Sequence, residues 1–294
     1  MKFSITIFLI LNSVFSQSSI LIGTIKDSKS QKPLVGANVF LLETSLGTAT
    51  LDDGSYQISK ISPGVYILKA TYIGYESKDI EINMLHFLEN HDEQRIASPD
   101  FAGNAEKGKP AMVVSTLIST SPTMIYFGQE LGEKAEEDLG FGDPTRTSIF
   151  DYGSVPSVVR WVNDKKFDGG KSTDAELELR DFYKRVLNFS TQSPAIMGEY
   201  SDIHWHNRQN TEWYNDRVYS FVRWSEDEKL IIISNFDAND TFGFELQLPQ
   251  HIVEAWSLND GEYKVTDQLY GKATGTLKVE NGLGQMRVDL KPLE

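Results

Sequence analysis

From residue 20 onward, apolar and polar positions alternate in short runs separated by turn residues. Residues 20–25, 36–42, 48–50, 56–58 and 65–72 each read as a strand. Their regular spacing predicts a small antiparallel sandwich. Asp52-Asp53-Gly54 and Pro63-Gly64 supply turns between them, glycine being the residue that accepts positive φ. The period then changes. Residues 84–88 form an apolar run of the length of one buried strand, and it ends in Asn90-His91-Asp92. A second such run, residues 122–127, ends in Gly128-Gln129-Glu130. Between them residues 111–118 suit a buried helix, which Pro122 stops before the second strand. A clearer helix is predicted over 174–188. Thr173 and Glu176 form a capping box there, and Leu179, Phe182, Tyr183, Val186 and Leu187 share one face. Strand, helix, strand, loop, helix is two units of a βα repeat. Past residue 196 strand patterning returns, most cleanly over 217–224, 230–236 and 242–248, and predicts a second antiparallel sandwich.

Residues 1–16 break this order. Lys2 precedes an apolar run from Phe3 to Leu11 that is too short to span a bilayer, and Val14-Phe15-Ser16 stands before a cleavage point ahead of Gln17. The segment reads as a secretory signal, with a buried first strand as the alternative. The expectation is an exported protein, periplasmic, cell-surface or extracellular, with no transmembrane segment. The domain layout is then 1–16 signal peptide, 17–83 first sandwich, 84–195 barrel-type βα fragment and 196–294 second sandwich.

Composition narrows the chemistry. The chain has 294 residues, a formal charge of -14 and no cysteine. That charge argues against nucleic acid as a partner and suits neutral ligands such as sugars. Disulfides and thiolate metal sites are excluded.

The order G-x-I-x-D from Gly23, P-L-x-G-A-x-V from Pro33, T-x-D-D-G-x-Y from Thr50, P-G-x-Y from Pro63 and Gly74-Tyr75 resembles the carboxypeptidase-regulatory-like domain family. The resemblance covers about residues 20–82. It implies a non-catalytic appendage of the kind found on secreted proteins and outer-membrane receptors. Asp52 and Asp53 could suggest calcium, but turn chemistry accounts for them.

Phe87-Leu88-Glu89-Asn90-His91-Asp92, with residues 122–130 behind it, resembles the last two strand ends of the α-amylase family of glycoside hydrolases. Ser148-Ile149-Phe150-Asp151-Tyr152, Phe167-Asp168-Gly169-Gly170 and the 174–188 helix fit the segment that follows in that family. The resemblance implies a multidomain architecture: an all-β sandwich, then the last two βα units of a (β/α)8 barrel, incomplete, then a C-terminal antiparallel β-sandwich. It implies that Asp92 stabilises an oxocarbenium-like transition state, and that His91 and Asn90 bind the sugar.

Retaining hydrolysis also needs a nucleophilic carboxylate and an acid/base carboxylate. In the family these stand on earlier barrel strands, and nothing before Met84 resembles those. Glu89, Glu93 and Glu130 are near in sequence, but as rim or hydrogen-bonding groups. Two strands also leave open edges, so a protein partner covering the barrel edge is expected. No cofactor is evident. Calcium belongs to complete relatives, and the region of its usual site has no counterpart here.

Trp205, Trp213, Trp224 and Trp256 could stack on sugars or pack in the core. His204 and His206 share a face at strand spacing, which could suit a metal, though no further ligand cluster accompanies them. The leading expectation is a secreted α-amylase-family protein directed at α-glucan and catalytically incomplete. The alternatives are a non-catalytic glycan-binding or surface-docking module, and a gene-fusion or assembly remnant.

Overall fold

Contacts divide the chain into Met1–His86 and Phe87–Glu294, and each unit has a core of its own. The computed structural model describes residues 3–10, 19–61, 65–83, 85–137, 144–149, 154–271 and 274–294.

The first unit is built from β1 (Phe3–Ile10), β2 (Ser19–Asp27), β3 (Asn38–Leu41), β4 (Gly47–Ala49), β5 (Ser55–Ile61), β6 (Val65–Thr71) and β7 (Lys78–Asn83). They make two antiparallel sheets, ordered β1-β2-β5 and β4-β3-β6-β7. The alternation read from the sequence puts Leu21, Ile25, Val39, Leu41, Ile58 and Leu68 in the buried core. A buried hydroxyl pins the loop between them: Thr50 Oγ1 donates to the Leu34 carbonyl at 2.5 Å and accepts from the Ala37 N–H at 2.8 Å. The Asp52-Asp53-Gly54 turn behaves as a turn. Ser55 N–H donates to Asp53 Oδ1 at 2.9 Å, and Gly54 sits at φ +77°. Phe3–Ile10, the core of the leader-like segment, pairs with β2 from Phe3↔Asp27 to Ile10↔Ile20. In the structure this stretch is a strand.

The second unit opens at β8 (His86–Phe87), which pairs with β9 (Thr123–Met124). Both strands are two residues long. The longer, fully buried strands expected over 84–88 and 122–127 are not formed: Leu85, Phe87 and Leu88 are only half-buried and Phe127 is exposed. No closed barrel is present among the described residues. A barrel strand is buried by neighbours on both sides, and here each strand has one.

Of the helices here, α1 (Lys109–Leu117) lies between the two strands, and α2 (Pro156–Val162) and α3 (Asp174–Gln192) follow β9. The α3 helix begins at the predicted capping box, with Thr173 Oγ1 accepting from Glu176 N–H and the Glu176 carboxylate accepting from Thr173 N–H. Phe150, Asp151 and Tyr152 lie outside the described residues.

The remaining elements are β10 (Glu199–Asp202), α4 (His204–Asn210), β11 (Val218–Trp224), β12 (Lys229–Asn235), β13 (Phe242–Leu248), α5 (Gln250–Ala255), β14 (Gly261–Thr266), β15 (Thr274–Glu280) and β16 (Leu283–Leu290). They form the sheets β10-β11-β12 and β13-β16-β15-β14, with every pairing antiparallel. The side-chain period of two splits β11 cleanly. Val218 and Val222 join Phe244, Leu246 and Val279 between the sheets, whereas Phe221, with Ile232 opposite it, joins Met112, Phe182 and Val186 of α1 and α3. Buried Arg223 fastens this second contact. Its guanidinium donates to the Ile118 carbonyl at the end of α1 and to the Ile196 and Gly198 carbonyls.

Candidate functional site

The Asn90-His91-Asp92 turn follows β8 directly, and its shape is set by its own first residue. Asn90 Oδ1 accepts from the Asp92 N–H at 2.8 Å and the Glu93 N–H at 2.9 Å. An amide oxygen used in this way closes an Asx turn. The oxygen of Asn90 is thereby committed to the backbone, and only its Nδ2 is left to meet a ligand. His91 and Asp92 project from the turn side by side, with Nε2 of His91 3.3 Å from Oδ2 of Asp92. Their side chains are 42% and 31% exposed, so both reach solvent.

Under the turn lies a buried ion pair. Arg95 is 0% exposed and Glu89 2%, and Nη1 of Arg95 donates to Oε2 of Glu89 at 2.8 Å. The other donors of Arg95 tie in two more segments: Nε donates to Thr147 Oγ1 at 3.0 Å and Nη2 to the Phe127 carbonyl at 2.9 Å. Its backbone N–H donates to the Thr145 carbonyl at 2.8 Å, and the guanidinium lies 4.5 Å from the Tyr126 ring centroid. The second Glu89 oxygen accepts the Ile96 N–H at 2.6 Å. Burial pushes the Glu89 carboxyl above its ordinary range, and the Arg95 charge and its hydrogen bonds pull against that shift. The pair thus joins the start of the turn, the residues just behind it, the end of β9 and the 144–149 segment.

These partners settle what Glu89 and Glu133 can do. Glu89, predicted as a rim or hydrogen-bonding group, is a buried structural partner. Glu133 accepts from the Ser157 N–H and hydroxyl at the start of α2, and from the Ala135 N–H. Burial raises its pKa, but these hydrogen bonds outweigh that and hold it below the usual range. Neither carboxylate is free to attack or protonate a glycosidic bond. A cavity of about 640 Å³ in this unit does not include residues 90–92. Glu133 and Arg160 line it, but Ser157 and Glu176 already engage them.

Two sequence expectations change here. His204 and His206 do not share a strand face, because residues 204–210 are helical and positions two apart on a helix diverge. His204 Nδ1 meets the Tyr214 hydroxyl at 3.1 Å, and His206 Nε2 meets Gln247 Oε1 at 3.1 Å. Among the described residues no cluster of three or more metal-ligating side chains is present. The tryptophans divide: Trp224 and Trp256 pack with the core between the sheets, whereas Trp205 and Trp213 are exposed. Sequence reading gave Arg95 no role, although a lone arginine behind the acidic stretch Glu89–Glu93 was the available signal.

Comparison with known proteins finds two family matches along the chain. Residues 21–97 match the CarboxypepD_reg-like domain, and residues 205–294 match the alpha amylase C-terminal all-beta domain. The chain thus resembles a CarboxypepD_reg-like domain over one stretch and an alpha amylase C-terminal domain over another. The first match runs past the division between the units and takes in the Glu89–Arg95 pair. An oligo-1,6-glucosidase of Saccharomyces cerevisiae is 23% identical over 207 residues, covering 53% of this chain and 35% of the relative. The chain therefore spans about a third of the length of that curated relative. Among solved structures, a γ-CGTase from alkalophilic Bacillus clarkii is 16% identical, with a TM-score of 0.35, over 71% of this chain and 26% of that one. Among the described residues no helix is long and apolar enough to cross a membrane.

Proposed function

We propose that this chain binds α-glucan and does not hydrolyse it unaided. The observation that carries the reading is the solvent-reaching Asp92 carboxylate beside His91, with Glu89 beneath it locked to Arg95. Hydrolysis takes two carboxylates about 5–10 Å apart across one sugar bond. Asp92 fits one role, that of an acceptor for sugar hydroxyls beside a His91 ring that can also hydrogen-bond them. Similarity to carbohydrate-acting relatives supports a sugar as the ligand. Export, with residues 1–16 as the leader, belongs to the same reading and rests on Lys2 and the apolar run behind it.

A second reading is favoured by the two-residue strands β8 and β9, whose outer edges are unpaired within the described sheet. Here the chain is one part of a split hydrolase, and a partner chain supplies further barrel strands and the missing carboxylates.

Incubation of the purified chain with soluble starch, followed by a reducing-end assay, separates the two. The first reading expects no release above a buffer blank. Release by the chain alone that disappears in Asp92→Asn contradicts it, and release only after a partner chain is added supports the second.

A further inference from the structure

We infer that the α4 end of the second unit is a glucan-contact surface, separate from the Asp92 turn, with Trp205 and Trp213 as its stacking rings. The inference rests on the glycan-binding reading and adds a location to it. Trp205 is 67% exposed and Trp213 75%, whereas Trp256 in the same domain is 6% exposed. Indole is the largest side chain a protein can leave in water, and two of the chain's five are left there within nine residues of sequence.

The scaffold beneath them is rigid. Asn207, fully buried on α4, donates through Nδ2 to the Ile203 carbonyl and the Gln247 carbonyl, each at 2.9 Å. Its Oδ1 accepts from the Gln247 N–H at 2.8 Å and the Thr211 hydroxyl at 2.7 Å. This one amide fastens α4, β13 and the start of the next turn. Tyr214 closes that turn from the far side, its N–H donating to the Thr211 carbonyl and its buried hydroxyl meeting Ser220 at 2.9 Å. Between Thr211 and Tyr214 the chain carries Trp213 at φ +68°, a left-handed backbone that a bulky residue adopts at a cost. A strained backbone on a fixed turn thus presents an exposed ring. Trp205 is held in a similar way, its N–H donating to Asp202 Oδ1 and its ring lying edge-on to His204 at 5.2 Å.

The polar groups on this scaffold include amides and an imidazole, beside the Arg208–Asp216 ion pair and the exposed Glu212. His206 Nε2 bonds Gln247 Oε1, and Gln247 Nε2 donates to the Asn210 carbonyl. A sugar presents an apolar face, which an indole covers, and a rim of hydroxyls that amides and imidazoles bond. With a net charge of -14 on the chain, a neutral polyol fits better than a polyanion.

Affinity electrophoresis of the full chain through a gel containing amylopectin tests this, with Trp205→Ala, Trp213→Ala and Asp92→Asn run beside it. Circular dichroism of each variant confirms folding, and Trp205→Phe serves as the conservative replacement. The expected result is retardation of the parent, weakened about five- to tenfold by either Trp→Ala change. Trp205→Phe should stay retarded. Retardation that both Trp→Ala variants keep and Asp92→Asn loses overturns this surface while leaving the binding reading intact. A parent that migrates unretarded overturns both. If the Trp→Ala changes instead abolish self-association measured by sedimentation, the surface is a protein contact and the inference fails.

Discussion

Arg95 and Glu89 form an ion pair that solvent does not reach, 2.8 Å from Nη1 to Oε2, directly beneath the Asn90-His91-Asp92 turn. Between them they use hydrogen bonds to Ile96, Thr147 and Phe127 to hold together segments far apart in sequence. The exposed pair His91–Asp92 therefore stands on a fixed base, although its barrel-type strands are only two residues long.

Removing one partner should be far worse than removing both. Glu89→Gln leaves the Arg95 charge buried without its counter-ion, at a cost of about 3–5 kcal/mol. The double change Glu89→Leu with Arg95→Met should recover most of that loss. All five tryptophans lie in the second unit, so their fluorescence during urea unfolding reports this unit alone. Equal loss in the single and double variants would mean that packing, not the charge, sets the cost.

Acid should weaken the first unit through Asp27. Hydrogen bonds from the backbone N–H and the side chain of Ser30, from the Tyr75 hydroxyl and from the Lys29 N–H lower its pKa from 3.8 to about 2. A depressed carboxyl pKa stabilises fully above its unfolded value and loses that contribution as pH falls through the folded one. The melting difference between the parent and Asp27→Asn should be largest above about pH 4 and shrink towards about pH 2. A difference that does not change across that window would contradict the assignment.

Gly54→Ala should destabilise the same unit. The backbone there is at φ +77°, and an added Cβ would lie 2.6 Å from the Ile25 carbonyl oxygen. The main chain has to move, because the contact is to backbone and not to a flexible side chain. A thermal melt of this variant within error of the parent would show that the turn adapts.

Thr173→Ala removes the hydroxyl that accepts the Glu176 N–H at the head of α3. A loss of about 1 kcal/mol is expected in tryptophan-monitored unfolding. Thr173→Ser should retain most of that stability, and a Ser variant as weak as Ala would assign the loss to the methyl group.

What the sequence disclosed follows physical range. The β13 strand occupies the residues its alternation marks, and α3 starts at the cap its Thr173 and Glu176 spell out, because those signals are local. The α2 helix was not anticipated. Pro156-Ser157-Val158-Val159 carries β-branched residues, and its N-terminus is satisfied by Glu133 from 24 positions away. His204 and His206 read as strand positions because a seven-residue segment shows too little period to tell helix from strand, and buried Asn207 decides it through β13. In the candidate site, Asn90, His91 and Asp92 were legible as a motif. The Arg95 anchor was not, since its partners Phe127 and Thr147 are 32 and 52 positions distant.

The most direct test of binding without hydrolysis is a proton NMR time course of maltoheptaose with the full chain. The account predicts broadened sugar resonances from the first spectrum and no new reducing-end anomeric signal as incubation proceeds. New anomeric signals that are absent with Asp92→Asn, or sugar lines left as sharp as in buffer, would contradict it.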